Sequence, residues 1–260
     1  MHSRNIFLGI NVERNGNNRI RAYIDFDDTD DHGSDFGTGK VARAFELFLP
    51  KGYHIWGVIR QQLLFDERIP YTSHNSSACV VVEYYDQSLR DSLIAKAVEH
   101  IERESAEGSD PGLCVACEND AALAGLTSFG FQCTTTVVTQ REALQAAAGV
   151  HISGHGGSND GIIGAAAAVG LTASGWSGRF IEMSGLRNFP EAVSIAEIER
   201  HGIRVMPLDR DATIPLPDDV VDTKGWLRPR LWGGKPVLPV FSRGKHLWES
   251  LGEKRKKKKR

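Results

Sequence analysis

The sequence is short of the features that mark membrane, secreted and metal-stapled proteins, and each absence narrows its class. No stretch approaches the roughly 20 consecutive apolar residues that cross a bilayer. The longest apolar run, 161–171, is rich in alanine and glycine and suits a closely packed helix better. Residues 1–10 lack the long apolar core of a signal peptide, so the expected location is cytoplasmic, with no membrane partner. No repeat of solenoid or coiled-coil period is present. Cysteine is scarce, with Cys79, Cys114, Cys117 and Cys133 only. Cys114 and Cys117 form a C-x-x-C, but the second pair that a zinc ribbon requires is missing. Residues 113–117 therefore read as a buried strand in which free cysteine serves as a small hydrophobe.

What remains is an ordinary globular composition, 260 residues with 41% hydrophobic and 25% charged side chains. That length suits one large domain or two small ones. The net charge of −2 conceals an asymmetry, because the last seven residues, 254–260, are all Lys or Arg. Without them, 24 basic residues face 33 acidic ones and the body carries about −9. An acidic body argues against a nucleic-acid footprint over the whole surface. Runs such as 254–260 are usually solvated, and 246–260 reads as a disordered basic tail.

Residues 6–12 and 19–26 read as strands joined by a turn at Asn15-Gly16, where positive φ is needed. Helices are expected at 40–49, 90–103, 120–125, 140–148, 161–170 and 192–201. The clearest is 90–103, with Leu93, Ala97 and Ile101 on one stripe. Further strands are expected at 55–59, 78–84, 114–117, 134–138, 204–208 and 237–241, with little order beyond Ser242. This alternation defines an α/β (α+β) protein, and 57–145 reads as an inserted ferredoxin-like subdomain.

The second strand runs into Asp25-Phe26-Asp27-Asp28-Thr29-Asp30-Asp31. Carboxylates crowded at the end of a core strand raise one another's pKa. A hard cation relieves that repulsion, and magnesium prefers one or two carboxylates together with phosphate oxygens and water. Asp27, Asp28 and Asp30 are thus candidate metal-binding or catalytic residues. The plainer reading is a solvent-exposed acidic turn. A second candidate is the glycine-dense stretch 153–161 before the helix at Ile162. Backbone N–H groups there can approach a phosphate without Cβ interference. Gly156, Gly157 and Gly161 are the expected contacts. No Lys-Ser or Lys-Thr follows, so this is not a Walker A loop. Lys40 or His155 would add positive charge, although His155 equally suits a loop residue facing solvent.

Several segments, taken in order, resemble the archaeal isoleucine-tRNA agmatinylcytidine synthetase family. Asp27-Asp28-Thr29-Asp30 looks like its D-D-T-D motif, and residues 69–78 look like its proline-containing segment before a strand. Asp110-Pro111-Gly112 matches a turn, residues 161–170 resemble its G-x-I-G-A-x-A-A-x-G element, and Lys235-Pro236-Val237-Leu238 its P-V-L strand. The resemblance implies a kinase-like module that binds ATP and magnesium through the D-D-T-D carboxylates, with a ferredoxin-like insertion. It implies a division into 1–56 with 146–190, the insert 57–145, and a small β-containing region at 191–245. The family's OB fold and zinc ribbon follow the P-V-L region and have no counterpart in this sequence. Thr72 and His74 stand where the family carries Lys and Arg, and its loop threonines are reduced to Thr38.

The resulting expectation is an ATP- and magnesium-dependent phosphoryl-transfer or ligase-type enzyme whose acceptor is a tRNA or a small metabolite. Two readings compete with it. Asp25-Phe26-Asp27-Asp28-Thr29 also fits the D-x-D-x-T of haloacid dehalogenase-like phosphatases, with Asp25 as nucleophile. There Leu208-Asp209-Arg210-Asp211 is the only faint candidate for the later acidic motif. The other is a non-catalytic nucleotide- or RNA-binding accessory protein.

Overall fold

The computed structural model describes residues 19–31, 37–70, 74–209 and 213–251. The expected strand at 6–12, its turn and the 254–260 tail lie outside the described residues.

In chain order the elements are β1 (Ile20–Asp27), α1 (Thr38–Ala44), β2 (His54–Gln62), β3 (Ser76–Tyr84), α2 (Arg90–Glu104), β4 (Gly112–Cys117), α3 (Leu123–Gln132), α4 (Gln140–Ala146), β5 (His151–Gly154) and α5 (Gly161–Ala173). There follow β6 (Arg179–Glu182), β7 (Ala192–Ser194), α6 (Ile195–Arg200), β8 (Arg204–Pro207), β9 (Val220–Asp222), β10 (Arg230–Trp232), β11 (Lys235–Gly244) and β12 (Leu247–Ser250). The twelve strands among the described residues join one mixed sheet in the order β5-β4-β1-β3-β2-β6-β10-β11-β12-β9-β7, with β8 pairing β11. Strands from all four expected segments are therefore hydrogen-bonded neighbours. Among the described residues, no helix is long and apolar enough to cross a membrane.

The alternation along β1 divides the core. Ala22, Ile24 and Phe26 pack with Val80, Val82, Leu93, Ala97 and Ile101 on the side of α1 and α2. Tyr23 packs with Cys79, Cys114 and Ala116 on the side of α3 and α5. Each large aliphatic side chain buried in this way contributes about 1.5–3 kcal/mol. Cys114 and Cys117 fall on opposite faces of β4, and Cys117 Sγ lies 3.3 Å from the Tyr84 hydroxyl. They are small core residues and do not face a common ion.

Helix α5 is buried over nearly its whole length because its small residues admit neighbouring backbone. A Cβ at Gly170 would come within 1.9 Å of the Leu126 carbonyl oxygen on α3, and one at Gly112 within 2.0 Å of the Gly161 carbonyl carbon. The second approach draws the start of α5 against the end of β4, beside the end of β1.

Several expectations need correction. The β-branched run 134–138 forms no strand. Instead Thr134 and Thr135 turn their hydroxyls back to the carbonyls of Phe131 (2.7 Å) and Gln132 (3.2 Å), closing the end of α3. The helix expected at 120–125 begins at Leu123 and runs on to Gln132. Residues 192–194 are a strand, because Ser194 caps α6 by accepting from the Glu197 N–H. Order also continues past Ser242. β12 is held by Asp219, which accepts from Trp248 Nε1 at 2.9 Å and contacts His246 Nδ1 at 2.6 Å.

Candidate active site

Strand β1 ends at Asp27, and Asp28 turns the chain with a φ of 50°. Aspartate tolerates this left-handed conformation better than most residues. The turn gathers side chains that a continuing strand would send to alternate faces. Asp27, Asp28 and Asp30 all line one cavity of about 210 Å³. Leu63, Ile69, Pro70, Val137, Val138 and Ile163 add apolar wall, and Arg68, His74, Asn75 and Ser76 add polar wall. The cavity therefore combines carboxylates with apolar side chains.

Asp27 reaches the cavity because α5 has no side chain in the way. A Cβ at Gly164 would stand 1.8 Å from Asp27 Oδ2. Asp30 is tied down, since its Oδ1 accepts from the Thr38 hydroxyl at 2.8 Å and from the Thr38 N–H at 3.3 Å. It caps the start of α1 from outside that helix. Burial and neighbouring carboxylates raise the acidic group. Asp27 is pushed up to about 6, chiefly by burial. Asp28 is pushed up to about 7, by burial and then by Asp27, Asp110, Asp30 and Asp160. Asp28 thus sits amid four other carboxylates, an arrangement that a divalent cation would relieve.

The glycine loop is organised differently from expectation. One of its N–H groups, that of Ser158, is given to a carboxylate of the protein itself. Asp110 Oδ1 accepts from the Ser158 N–H at 2.6 Å and Oδ2 from the Ser158 hydroxyl at 2.8 Å. Gly157, at φ 53°, leaves room for Asp110, which a Cβ would meet at 1.3 Å. Gly157 therefore lies against Asp110, and neither it nor Gly156 lines the cavity, whereas Gly161 does. His155 does not face solvent. Its side chain is only 8% exposed, with Nε2 2.8 Å from Ser153 Oγ and Nδ1 3.3 Å from Glu102. Lys40 is exposed on α1 outside the cavity wall, while Thr38 lies in it.

Asp25 cannot serve as the phosphatase nucleophile. It has no exposed surface, accepts the Ser77 hydroxyl and is absent from the cavity wall. A nucleophile must reach its substrate. In the faint second motif, Asp209 accepts from the Ser242 N–H at 2.7 Å and supports β11, and Arg210 and Asp211 lie outside the described residues.

Among the described residues, no three His, Cys, Asp or Glu side chains converge closely enough to hold a metal ion alone. Magnesium asks for less, one or two carboxylates with phosphate and water completing its shell. Asp27 and Asp28, adjacent at the cavity and raised in pKa chiefly by burial and then by neighbouring carboxylates, fit that role. Asp160 escaped the motif reading, and Asp110 and Gly164 entered it only as parts of the turn 110–112 and the glycine element 161–170, with no part in the site assigned to them.

No family model and no curated protein matches the sequence. Solved structures of TiaS, a tRNA agmatidine synthetase, are similar to 58% of the chain. The apo form shows 24% identity and a TM-score of 0.48, and the complex with tRNA and ATP 26% and 0.49. A tRNA fluorescent labeling enzyme shows 26% identity and a TM-score of 0.48 over the same share. The chain spans about a third of these proteins, 35–36% of their length.

Proposed function

We propose that the protein is an ATP- and magnesium-dependent group-transfer enzyme, of ligase or kinase-like type, working at the cavity below Asp27 and Asp28. The observation that carries this reading is the pair of adjacent carboxylates with elevated pKa in the wall of a half-apolar cavity. A bound cation would supply neutralisation of phosphate charge during transfer. Asp27 and Asp28 are assigned to hold it, and Thr38 and Asp30 to position the turn that carries them. Gly161 and Gly164 keep the start of α5 open to the ligand, and the wall of Leu63, Ile69 and Val138 excludes water from an organic group. Lys40, His155, Gly156 and Gly157, outside the wall, are assigned at most to shaping the loops around it.

In this reading 1–56 and 146–190 carry the acidic and glycine walls, and 57–145 carries the apolar one. The kinase-like and ferredoxin-like descriptions of those segments belong to the same proposal. So does the acceptor, a tRNA or a small metabolite, in keeping with the TiaS likeness. Incubation with [γ-32P]ATP and [α-32P]ATP, magnesium and either total tRNA or a metabolite pool tests it. Acceptor-stimulated cleavage of ATP that disappears in Asp27→Asn supports the proposal. Cleavage that is absent under every condition, or unchanged in Asp27→Asn, overturns it.

A further inference from the structure

Strand β5 stands at one end of the strand order, and its register sets His151 opposite Val115 and Ser153 opposite Leu113. Ladder partners project from the same face of a sheet. Leu113 and Val115 pack on the side of α2, so His151 and Ser153 project to that side too, where α2 carries Glu102. There Ser153 Oγ lies 3.0 Å from His151 Nε2 and 2.8 Å from His155 Nε2. On the other edge of its ring, His155 Nδ1 lies 3.3 Å from Glu102 Oε1. None of these four side chains lines the cavity of Asp27 and Asp28.

The carboxylate fixes the direction of the whole chain of bonds. An ionised carboxylate only accepts, so His155 Nδ1 carries the proton that faces Glu102. In the neutral ring Nε2 is then a bare lone pair, and the Ser153 hydroxyl must donate to it. With that proton committed, Ser153 Oγ accepts from His151, whose Nε2 is the N–H. Burial, and then His155, lower the His151 pKa and favour its neutral ring. A serine with an imidazole base in reach, and a carboxylate orienting that imidazole, is the arrangement that activates a hydroxyl for attack. Plain pairing of polar side chains would work equally well with the donors reversed, which Glu102 forbids. Among the described residues no three His, Cys, Asp or Glu converge to hold a metal ion, so the two imidazoles are not read as metal ligands. Ser153 is half-buried, within reach of a small molecule, while His155 is mostly covered.

We propose that Ser153 is a reactive nucleophile that takes acyl groups from small uncharged carboxylic esters, with His155 as its base and Glu102 positioning His155. Ser153 Oγ bonds to the ester carbonyl carbon while its proton passes to His155 Nε2. The ester C–O bond then breaks, and the departing alcohol takes that proton. A water, deprotonated by His155 in the same way, attacks the acyl group, releases the acid and restores the Ser153 hydroxyl. Uncharged esters are favoured because the formal charge in this chain of bonds is the negative one on Glu102, which repels phosphate esters and other anions. The inference rests on side chains outside the cavity and stands apart from the ATP reading.

Labelling of the full chain with an uncharged fluorophosphonate, read by mass spectrometry of the peptide that contains Ser153, tests it together with hydrolysis of p-nitrophenyl acetate. The native protein should carry the adduct on Ser153, formed faster as pH rises through one imidazole ionisation. Ser153→Ala should lose that adduct and the ester hydrolysis. His155→Gln should slow labelling at least a hundredfold, roughly the contribution of a positioned base. Glu102→Gln should slow it at least tenfold and move the pH midpoint down, because the carboxylate no longer favours the imidazolium. A merely structural Glu102 would leave that midpoint in place. Glu102 is 61% exposed, so its variant keeps the test decisive should His155→Gln fail to fold. No adduct on Ser153 in the native chain, or native rates in both His155→Gln and Glu102→Gln, would overturn the proposal. Labelling that EDTA abolishes would assign the two imidazoles to a metal and overturn it as well. Heats of Mg·ATP binding in Ser153→Ala separate this result from the ATP reading, since either can fail while the other holds.

Discussion

Asp27 and Asp28 are ionisable groups in a place that disfavours their ionisation. Both have folded pKa values, about 6 and about 7, above the ordinary 3.8. Between pH 4 and 7 the folded chain therefore binds more protons at these positions than the unfolded chain. Their contribution to stability is fully present below about pH 4 and is lost as pH rises through 6 and 7. His100 and His151, lowered by burial, act with the opposite sign near pH 6, so the informative quantity is a difference. The gap in Tm between Asp27→Asn and the native chain, without divalent cation or nucleotide, should widen in favour of the variant from pH 5 to pH 8. A gap that narrows or stays flat would show that Asp27 is not held at a raised pKa. Asp27 and Asp28 were legible from the sequence as like charges at a strand end. Their convergence was not, because it depends on Asp28 adopting a positive φ, which aspartate permits but does not announce.

At the scale of elements, α5 joins the core to the site through its glycines. Gly170 meets α3 backbone and Gly164 meets the Asp27 carboxylate, so two chemically identical substitutions should separate. Gly170→Ala presses on the Leu126 carbonyl and should cost about 1–3 kcal/mol, read by urea unfolding, from overpacking that backbone cannot relieve. Gly164→Ala displaces a side chain and should cost less stability, but should weaken Mg·ATP binding at least tenfold. Equal effects on both readouts would remove the distinction. The elements themselves were readable where one period dominated, as in α2 with Leu93, Ala97 and Ile101, or in β1 and β3. They were misread where local side-chain bonding overrode propensity. Thr134 and Thr135 have strand-forming side chains yet close a helix, and Ser194 starts α6 three residues later than its apolar pattern implied. The glycine loop was misread for a related reason. The Ser158 N–H does take an anion, but the anion is Asp110, brought from 48 residues away in sequence.

Across the whole molecule a single sheet links the cavity to the C-terminal strands, and the far end depends on few polar anchors. Asp219, 4% exposed, accepts from Trp248 Nε1, from the Leu216 N–H and contacts His246. Asp219→Ala should leave the Trp248 Nε1–H and the Leu216 N–H without their acceptor and lower the Tm. Amide exchange should accelerate first in β9 and β12, and uniform acceleration through β1 and β4 would contradict this assignment. The order of strands in this sheet was beyond the sequence, since β6, β9 and β10 are only three or four residues long and carry no period of their own.

The central claim is that Asp27 and Asp28 tolerate their crowding because a cation and a triphosphate complete the site. Calorimetric titration of ATP with and without magnesium, at pH 6.5 in two buffers of different ionisation heat, tests it on the native chain and on Asp28→Ala. The account predicts binding that requires magnesium, proton release as the carboxylates ionise, and loss of both affinity and proton release in Asp28→Ala. ATP binding that is indifferent to magnesium, releases no protons and survives in the variant would contradict it.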